Sequence, residues 1–591
     1  MRGKMLVCAI ILLGLTQICP AGGKDDVRFN EAVLVLTGAG EIEELDEYEI
    51  DRYQKLSSSP LRLNSAGRPT LLSSGLMTLY QVVSFLDYRS LSGPVMSFAE
   101  LASIDGFNER VAEALSLFVL LDNPEAAAGR RIDGEALANV SMKKQPVAEG
   151  HNLASCKSRL SIGREGRFEL GLATGKDYDA PFGSSYSGYV NVSRRRWNLT
   201  AGDFALRFGQ GLALWSGFSM SGFSGERTFW KRSTGITPSW SLSGTSSHRG
   251  LAADVQLGKF GISVFASVPG LRRWCESGGN PSLSLMPGLN VSLYLRNGVI
   301  SATTYGLWDG IGNRTMPSAM LVPGGGKVSV DARLCFRGVV LAGEAAWDIM
   351  QNRIAACLST DIPIKGNWRT ALTVRHIPDG YDLSFSSPVR TWSGKTGESG
   401  ISAGLFFRQS LFTADYSMRS PDSGMRQLKM LFSSPFRIND AFSITCRITS
   451  RLRSYEKGIR TGLRTDLKYV RGNWNTVARY ELLKFKGLAH LAYLEEGMVH
   501  ESGAVYLRGT LYFIDKWDDR IYAYERDAPG SFNVPAYYGR GYSLSLVARQ
   551  KIRFRVLSMR IYWRTGFYAP VFGKVKRDCK LENRLQLSLD F

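Results

Sequence analysis

From Leu581 to Phe591 the chain alternates so strictly that nearly every side chain can be given a face: Leu585, Leu587, Leu589 and Phe591 on one, Glu582, Arg584, Gln586, Ser588 and Asp590 on the other. A period of two belongs to a strand whose faces meet different surroundings. With an aromatic residue in the final position, the stretch predicts the closing strand of a transmembrane β-barrel.

The same pattern recurs upstream. Ile552, Phe554 and Val556 alternate with Lys551, Arg553 and Arg555, and Phe442, Ile444, Cys446, Ile448 and Leu452 alternate with Ser443, Thr445, Arg447, Arg451 and Arg453. Val505, Leu507, Leu511 and Phe513 alternate with Tyr506, Arg508, Thr510 and Tyr512; Leu463, Leu467 and Tyr469 alternate with Arg464, Asp466 and Lys468. A soluble sandwich also turns one apolar face inward, so alternation alone does not choose between them. Three further features favour the membrane: strands of about ten residues or more, aromatic residues at strand ends, and an export signal. Arg2 and Lys4 precede an apolar run from Met5 to Leu15, then Ala21, Gly22 and Gly23, the layout of a cleavable signal over residues 1–21. No other stretch has the 18 or so uninterrupted apolar residues of a membrane helix. The expected fold is mainly β: a large antiparallel transmembrane barrel over residues 155–591, with about 22 to 26 strands at roughly 17 to 20 residues per strand and turn. Residues 122–154 lack clear periodicity and read as a linker.

Residues 24–121 carry 8 Lys/Arg against 15 Asp/Glu. Much of that excess lies in Glu41, Glu43, Glu44, Asp46, Glu47, Glu49 and Asp51, within an acidic helical segment assigned to residues 24–60. A helix is expected over Glu41–Lys55, another through Tyr80, Val83, Phe85 and Tyr88, and two short ones between Phe98 and Leu121.

Leu63-Asn64-Ser65-Ala66, Asp87-Tyr88-Arg89, Gly93-Pro94, Ser97-Phe98, Glu100-Leu101 and Ile104-Asp105-Gly106-Phe107 resemble the all-α tandem helix-hairpin-helix domain of ComEA-like DNA receptors over residues 61–121. In that family the hairpin turns approach DNA phosphates through backbone N–H groups at a helix N-terminus, so the resemblance implies DNA binding at Thr78, Gly106, Phe107, Asn108 and Arg110. The chain departs from the pattern: the first hairpin reads Leu76-Met77-Thr78 with Gly75 displaced by one, and the second keeps a single glycine.

Two barrel stretches stand out. One runs from Gly202-Asp203 through Arg207, Gly209-Gln210-Gly211 and Trp215 to Phe218, after Tyr186-Ser187-Gly188-Tyr189; the other comprises Tyr522-Ala523-Tyr524-Glu525 and Pro535-Ala536-Tyr537-Tyr538-Gly539. With the N-terminal domain they resemble a Bacteroidota-type family of outer-membrane barrels preceded by a helix-hairpin-helix domain, which supplies an architecture and no established activity. Gly209-Gln210-Gly211 reads as a tight turn or bulge and Trp215 and Phe218 as interfacial anchors, whereas Asp203, Arg207, Gln210 and Glu525 are candidates for lumenal contacts that seat a plug.

No nucleophile, zinc or phosphate-loop motif occurs and the five histidines are scattered, so no enzyme, metal site or small-molecule cofactor is expected. Six cysteines follow the signal without a CxxC pair; Cys156 and Cys579, assigned to the first and last strands, are expected at opposite ends and unbridged. The total charge is +20, which leaves the barrel and linker an excess of roughly +25 beside the acidic N-terminal domain. Those cations belong in the lumen, rims and loops. Three readings follow for a protein of the outer membrane with its N-terminal domain in the periplasm: a receptor or conduit for DNA or another polyanion, an assembly barrel whose hairpin domain binds other envelope proteins or plugs it, and a gated channel for small anions. Outer-membrane lipid is the common partner. Opposite charges also predict that the acidic domain sits against the basic barrel mouth.

Overall fold

A computed structural model describes residues 25–40, 45, 47–58, 60–121, 132–144, 154–164, 167–178, 180–181, 183–194, 196–217, 225, 228–242, 247–269, 283–311, 322–365, 367–392, 397–419, 424–500, 502–529, 531, 533–555, 557–570 and 579–591. The expected signal, Glu41, Glu43, Glu44, Asp46, Phe218, His151 and Cys275 lie outside them.

Among the described residues, 24 antiparallel strands from Asp133–Lys144 to Lys580–Asp590 close into a barrel. The seam runs in register from Leu581 beside Lys144 to Asp590 beside Glu135, and Gly134 and Phe591 exchange backbone hydrogen bonds of 2.9 Å in both directions. The first strand therefore falls inside the stretch expected to be a linker, and the barrel begins near residue 133 rather than 155. Its outward positions are mostly small, Ala136 and Ala138 among them, so the apolar half of the alternation is faint in sequence. Cys156 consequently lies in the second strand, opposite Val140 and toward the same end as Cys579, not at the other end.

Large apolar side chains ring the outside: Leu251, Ile300, Val330, Leu358, Val374, Phe432, Leu463, Leu507, Leu511 and Leu585 are all exposed. Their strand neighbours Asp331, Arg375, Asp466, Arg508, Arg564 and Gln586 point into the lumen. A continuous apolar belt of this extent on a closed barrel fits acyl chains and not water, which makes this an outer-membrane-type barrel. At one end the strands join through turns of a few residues, as at 258–259, 296–297, 408–409 and 472–473. At the other several connections are long, including 208–247, 378–397 and 515–538.

Before the barrel stand helices α1 (Asp25–Thr37), α2 (Glu47–Ser58), α3 (Arg68–Ser74), α4 (Leu79–Ser92), α5 (Phe98–Ser103) and α6 (Glu109–Leu115). Two caps explain where α4 and α6 begin. The Thr78 hydroxyl accepts from Gln81 N while the Gln81 side chain accepts from Thr78 N, and the Asn108 side chain accepts from Val111 N at 2.9 Å. All six helices share one core around Leu36, Tyr53, Leu63, Phe85, Leu101 and Phe118, with the Tyr53 and Phe118 rings edge to face at 5.4 Å. A short parallel pairing of Leu61–Arg62 with Val119–Leu120 ties the two ends of this segment together.

Candidate functional site: a lumen occupied by its own chain

A barrel of this size has a wide lumen, and its filling decides what it can pass. Three of the long connections fold inward and are held by buried charges on the wall. In the first, Gly209 (φ +58°) and Gly211 (φ +83°) turn the backbone so that three N–H groups converge on one carboxylate: Gln210 N, Leu212 N and Ala213 N reach Glu344 at 2.6, 3.0 and 3.0 Å. The Gly-Gln-Gly stretch is thus an anion nest for a side chain of its own chain. A Cβ at position 209 would collide with that carboxylate. The segment turns back so that Gly235–Pro238 pairs with Phe204–Arg207, and Arg207 Nε donates to Ser216 O at 3.0 Å. Trp215 is no interfacial anchor. Its indole lies among Arg207 and Lys231 inside the barrel, with ring distances of 5.7 and 4.5 Å.

The second connection is gripped in the same manner. Glu398 accepts Thr391 N at 2.9 Å, Trp392 N at 2.8 Å and Arg375 Nε at 2.7 Å, while Asp415 takes the Thr391 hydroxyl at 2.6 Å. Lys327 donates to Asp382 O and to Ser386 Oγ. The first two connections also hold each other through Tyr381 Oη to Leu212 O (2.9 Å) and Trp215 N to Phe385 O (2.8 Å). Burial pushes the Tyr381 hydroxyl up from its ordinary range.

In the third, Glu525 meets Arg564 at 2.5 Å and the hydroxyls of Tyr568 and Tyr537, while Arg508 donates to Tyr524 O at 2.6 Å. Arg526 pairs with Glu495 at 2.6 Å and Asp527 with Arg584. Burial raises the Asp527 carboxyl against the pull of Arg584 and Arg564.

Of the candidate lumenal residues, Asp203, Arg207 and Gln210 follow one another along the strand Trp197–Arg207 and into the first connection with separate partners: Asp203 holds Arg249 at 2.8 Å and Gly188 N at 2.9 Å, Arg207 donates to Ser216 O, and Gln210 Oε1 accepts from Lys231 N at 2.8 Å. Glu525 serves the third connection separately. Glu344, Glu398, Arg375 and Asp415 were not singled out by sequence reasoning. Their one signal is a charged residue at an inward position of a strand.

The helical domain lies against the short-turn end. Lys55 pairs with Glu169, Lys468 with Glu31, and Arg68 stacks on Tyr294 at 4.4 Å. The seating thus uses cations of the domain as well as Glu31. Four of the five residues implied in DNA contact are engaged within the domain. Thr78 and Asn108 cap helices, Phe107 is buried, and Gly106 O accepts from Gln81 Nε2 at 2.9 Å with the Tyr80 ring over its Cα. Gly75 O takes the Tyr53 hydroxyl at 3.2 Å; Arg110 is exposed. Arg89 spends its guanidinium on Asn64 O and Ala66 O at 2.8 and 2.9 Å.

Between domain, wall and first connection lies a cavity of about 850 Å³. Arg52, Lys55 and Arg62 line it from the domain, and Arg164, Arg167, Arg333 and Arg553 from the barrel, along with acids such as Glu169 and Asp331. Its size suits a small solute.

The architecture defines the class, an outer-membrane-type β-barrel whose own chain occupies its lumen. No protein-family model matches the chain, and no curated protein matches it. Solved barrels align at low similarity. The crystal structure of Pseudomonas aeruginosa OccK7 (OpdD) is 9% identical, covering 78% of this chain and 97% of that one, with a TM-score of 0.30. The translocation pore of the P pilus usher PapC is 10% identical, covering 78% and 98%, at 0.33. The siderophore receptor PirA from Acinetobacter baumannii is 8% identical, covering 78% and 81%, at 0.38.

Proposed function

We propose that this chain is a gated outer-membrane channel for small anionic solutes, with the helical domain closing its periplasmic end and the inward connections closing the other. The observation that carries the reading is the seating of the helical domain on the lumen wall by Lys55–Glu169 and Glu31–Lys468, above a cavity rich in arginine and lysine. Such ion pairs are individually weak and partly exposed, as a closure that must open requires. Assignment of the short-turn end to the periplasm rests on the general habit of such barrels, which place short turns there. The polyanion reading from the ComEA-like resemblance is less favoured, because the turns that would approach a phosphate chain are engaged by Tyr53, Tyr80 and Gln81.

The test is single-channel recording in planar bilayers. Removing residues 24–131, which spares the seam strand Asp133–Lys144, is expected to raise conductance, with a reversal potential in a KCl gradient on the anion-selective side. Unchanged conductance would overturn the reading. In parallel, the full protein is titrated with labelled duplex DNA at low salt, where clear binding would return the polyanion reading to first place.

A further inference from the structure

The lumen wall formed by strands Phe442–Arg453, Arg460–Arg471 and Trp474–Lys484 carries a charge arrangement that stability alone does not explain. Arg451 stands directly opposite Arg460, and Arg447 directly opposite Arg464. Like charges facing each other across a ladder are unfavourable. Four residues further toward the short-turn end, Lys468 stands opposite Ser443. Steps of four residues are about 13 Å, so the pairs form rungs about 27 Å from first to last. Glu456 holds Arg451 and Arg453 at 3.1 and 2.9 Å, and Asp466 holds Arg464 and Arg479 at 2.7 and 2.5 Å. With Glu481 beside Arg464, three acids meet seven cations on this wall: Arg447, Arg451, Arg453, Arg460, Arg464, Lys468 and Arg479. Arg460 is engaged by the third connection, donating to Asp518 O and to Arg520 O; at the other rungs the acids position the guanidinium groups and leave the wall net positive. The lowest cation, Lys468, is paired with Glu31 of α1, whose carboxylate side chain is 59% exposed.

We propose that this stripe is a binding path for multivalent carboxylates and other oxyanions, and that its last rung is the latch of the helical domain: an oxyanion arriving at Lys468 replaces the Glu31 carboxylate and frees the domain from that wall. The proposal rests on the reading of the chain as a gated anion channel and adds the solute class and the step that couples solute to gate. Glu31 and the incoming carboxylate are chemically alike, so the exchange conserves the contacts of Lys468. A solute with two or three acid groups can hold Lys468 and the Arg447–Arg464 rung together if its groups span the distance, or hop between them if they do not.

The experiment uses the full chain in planar bilayers, with citrate added on the long-loop side and sucrose as the uncharged control. Citrate is expected to raise the open fraction of the wild type by up to about fivefold, the scale of one partly exposed ion pair. Glu31→Gln, on an exposed helix face where folding is not at stake, is expected to start more open and to gain nothing further from citrate. Arg447→Gln with Arg464→Gln is expected to weaken the citrate response while sucrose stays without effect. An undiminished citrate response in Glu31→Gln overturns the latch. A wild type deaf to citrate, in a protein whose conductance still rises on removal of residues 24–131, overturns the stripe and leaves the channel reading standing; no rise on that removal overturns the channel reading itself.

Discussion

Two walls of the same lumen treat charge in opposite ways. Around Glu344, Glu398, Asp415 and Glu525 each acid is buried and its oxygens accept from backbone N–H groups, hydroxyls or an arginine, so charge and chain cancel and the inward connections are fixed. Around Arg447, Arg451, Arg464 and Lys468 the cations outnumber the acids, and Arg447 faces Arg464 directly across the ladder. The difference teaches which part of the lumen is structural filling and which is left for a mobile ion. A buried carboxylate surrounded by donors has no use for a solute, whereas a partly exposed arginine rung in cationic excess does.

The comparison breaks most visibly at Glu344. Glu344→Ala leaves the N–H groups of Gln210, Leu212 and Ala213 without their acceptor, at roughly 3–5 kcal/mol, and is expected to free the first connection. A lower unfolding temperature in heat-modifiability gels, together with a large rise in conductance, checks it; wild-type values for both would refute the account of that wall. Next in size is Glu525→Gln, which retains the shape but strips the charge from Arg564, a buried partner whose side chain is 2% exposed. A loss of about 3 kcal/mol is expected on the same gels, with a smaller conductance change because only the third connection loosens. Gly211→Val forces a branched side chain into φ +83° and should cost about 1–3 kcal/mol, leaving the connection in place but noisy in single-channel records. Asp466→Asn sharpens the other side of the comparison: thermal stability should change little while the reversal potential moves further to the anion side, since one acid is removed from the arginine wall. The smallest effect is expected for Lys55→Ala, about 0–1 kcal/mol from a pair whose members are 34% and 28% exposed, read as a slightly higher open fraction.

The barrel itself was legible because its information is local. Leu585, Leu587 and Phe591 against Gln586 and Ser588 state their faces within one strand, and the structure places them outside and inside accordingly. The expected count of about 22 to 26 strands brackets the 24 observed. Legibility failed where the outward face was written in alanine, as at Ala136 and Ala138, and a seam strand passed for a linker. Among the candidate site residues, Gly209-Gln210-Gly211 read as a turn, and a turn it is. Its purpose lay in Glu344, 134 residues away from Gln210, which no local pattern connects to it. Trp215 failed for a related reason: tryptophan has the same composition signal at a bilayer interface and on an inward connection, and only the fold of residues 208–217 separates the two.

The sequence by itself determined the closed amphipathic sheet, since period-two alternation commits each strand to one lipid face and one lumen face, and a backbone in lipid has no stable alternative to closure. Thr78 and Asn108, read from the resemblance as phosphate-contact positions, cap helices. Tertiary structure alone decided that three connections turn inward, that Gly75 and Gly106 are engaged by Tyr53, Tyr80 and Gln81, and that Glu31 meets Lys468 across 437 residues. Those contacts join positions brought together only once the ring has closed, and the free energy of each depends on a dielectric and a geometry that do not exist in the open chain.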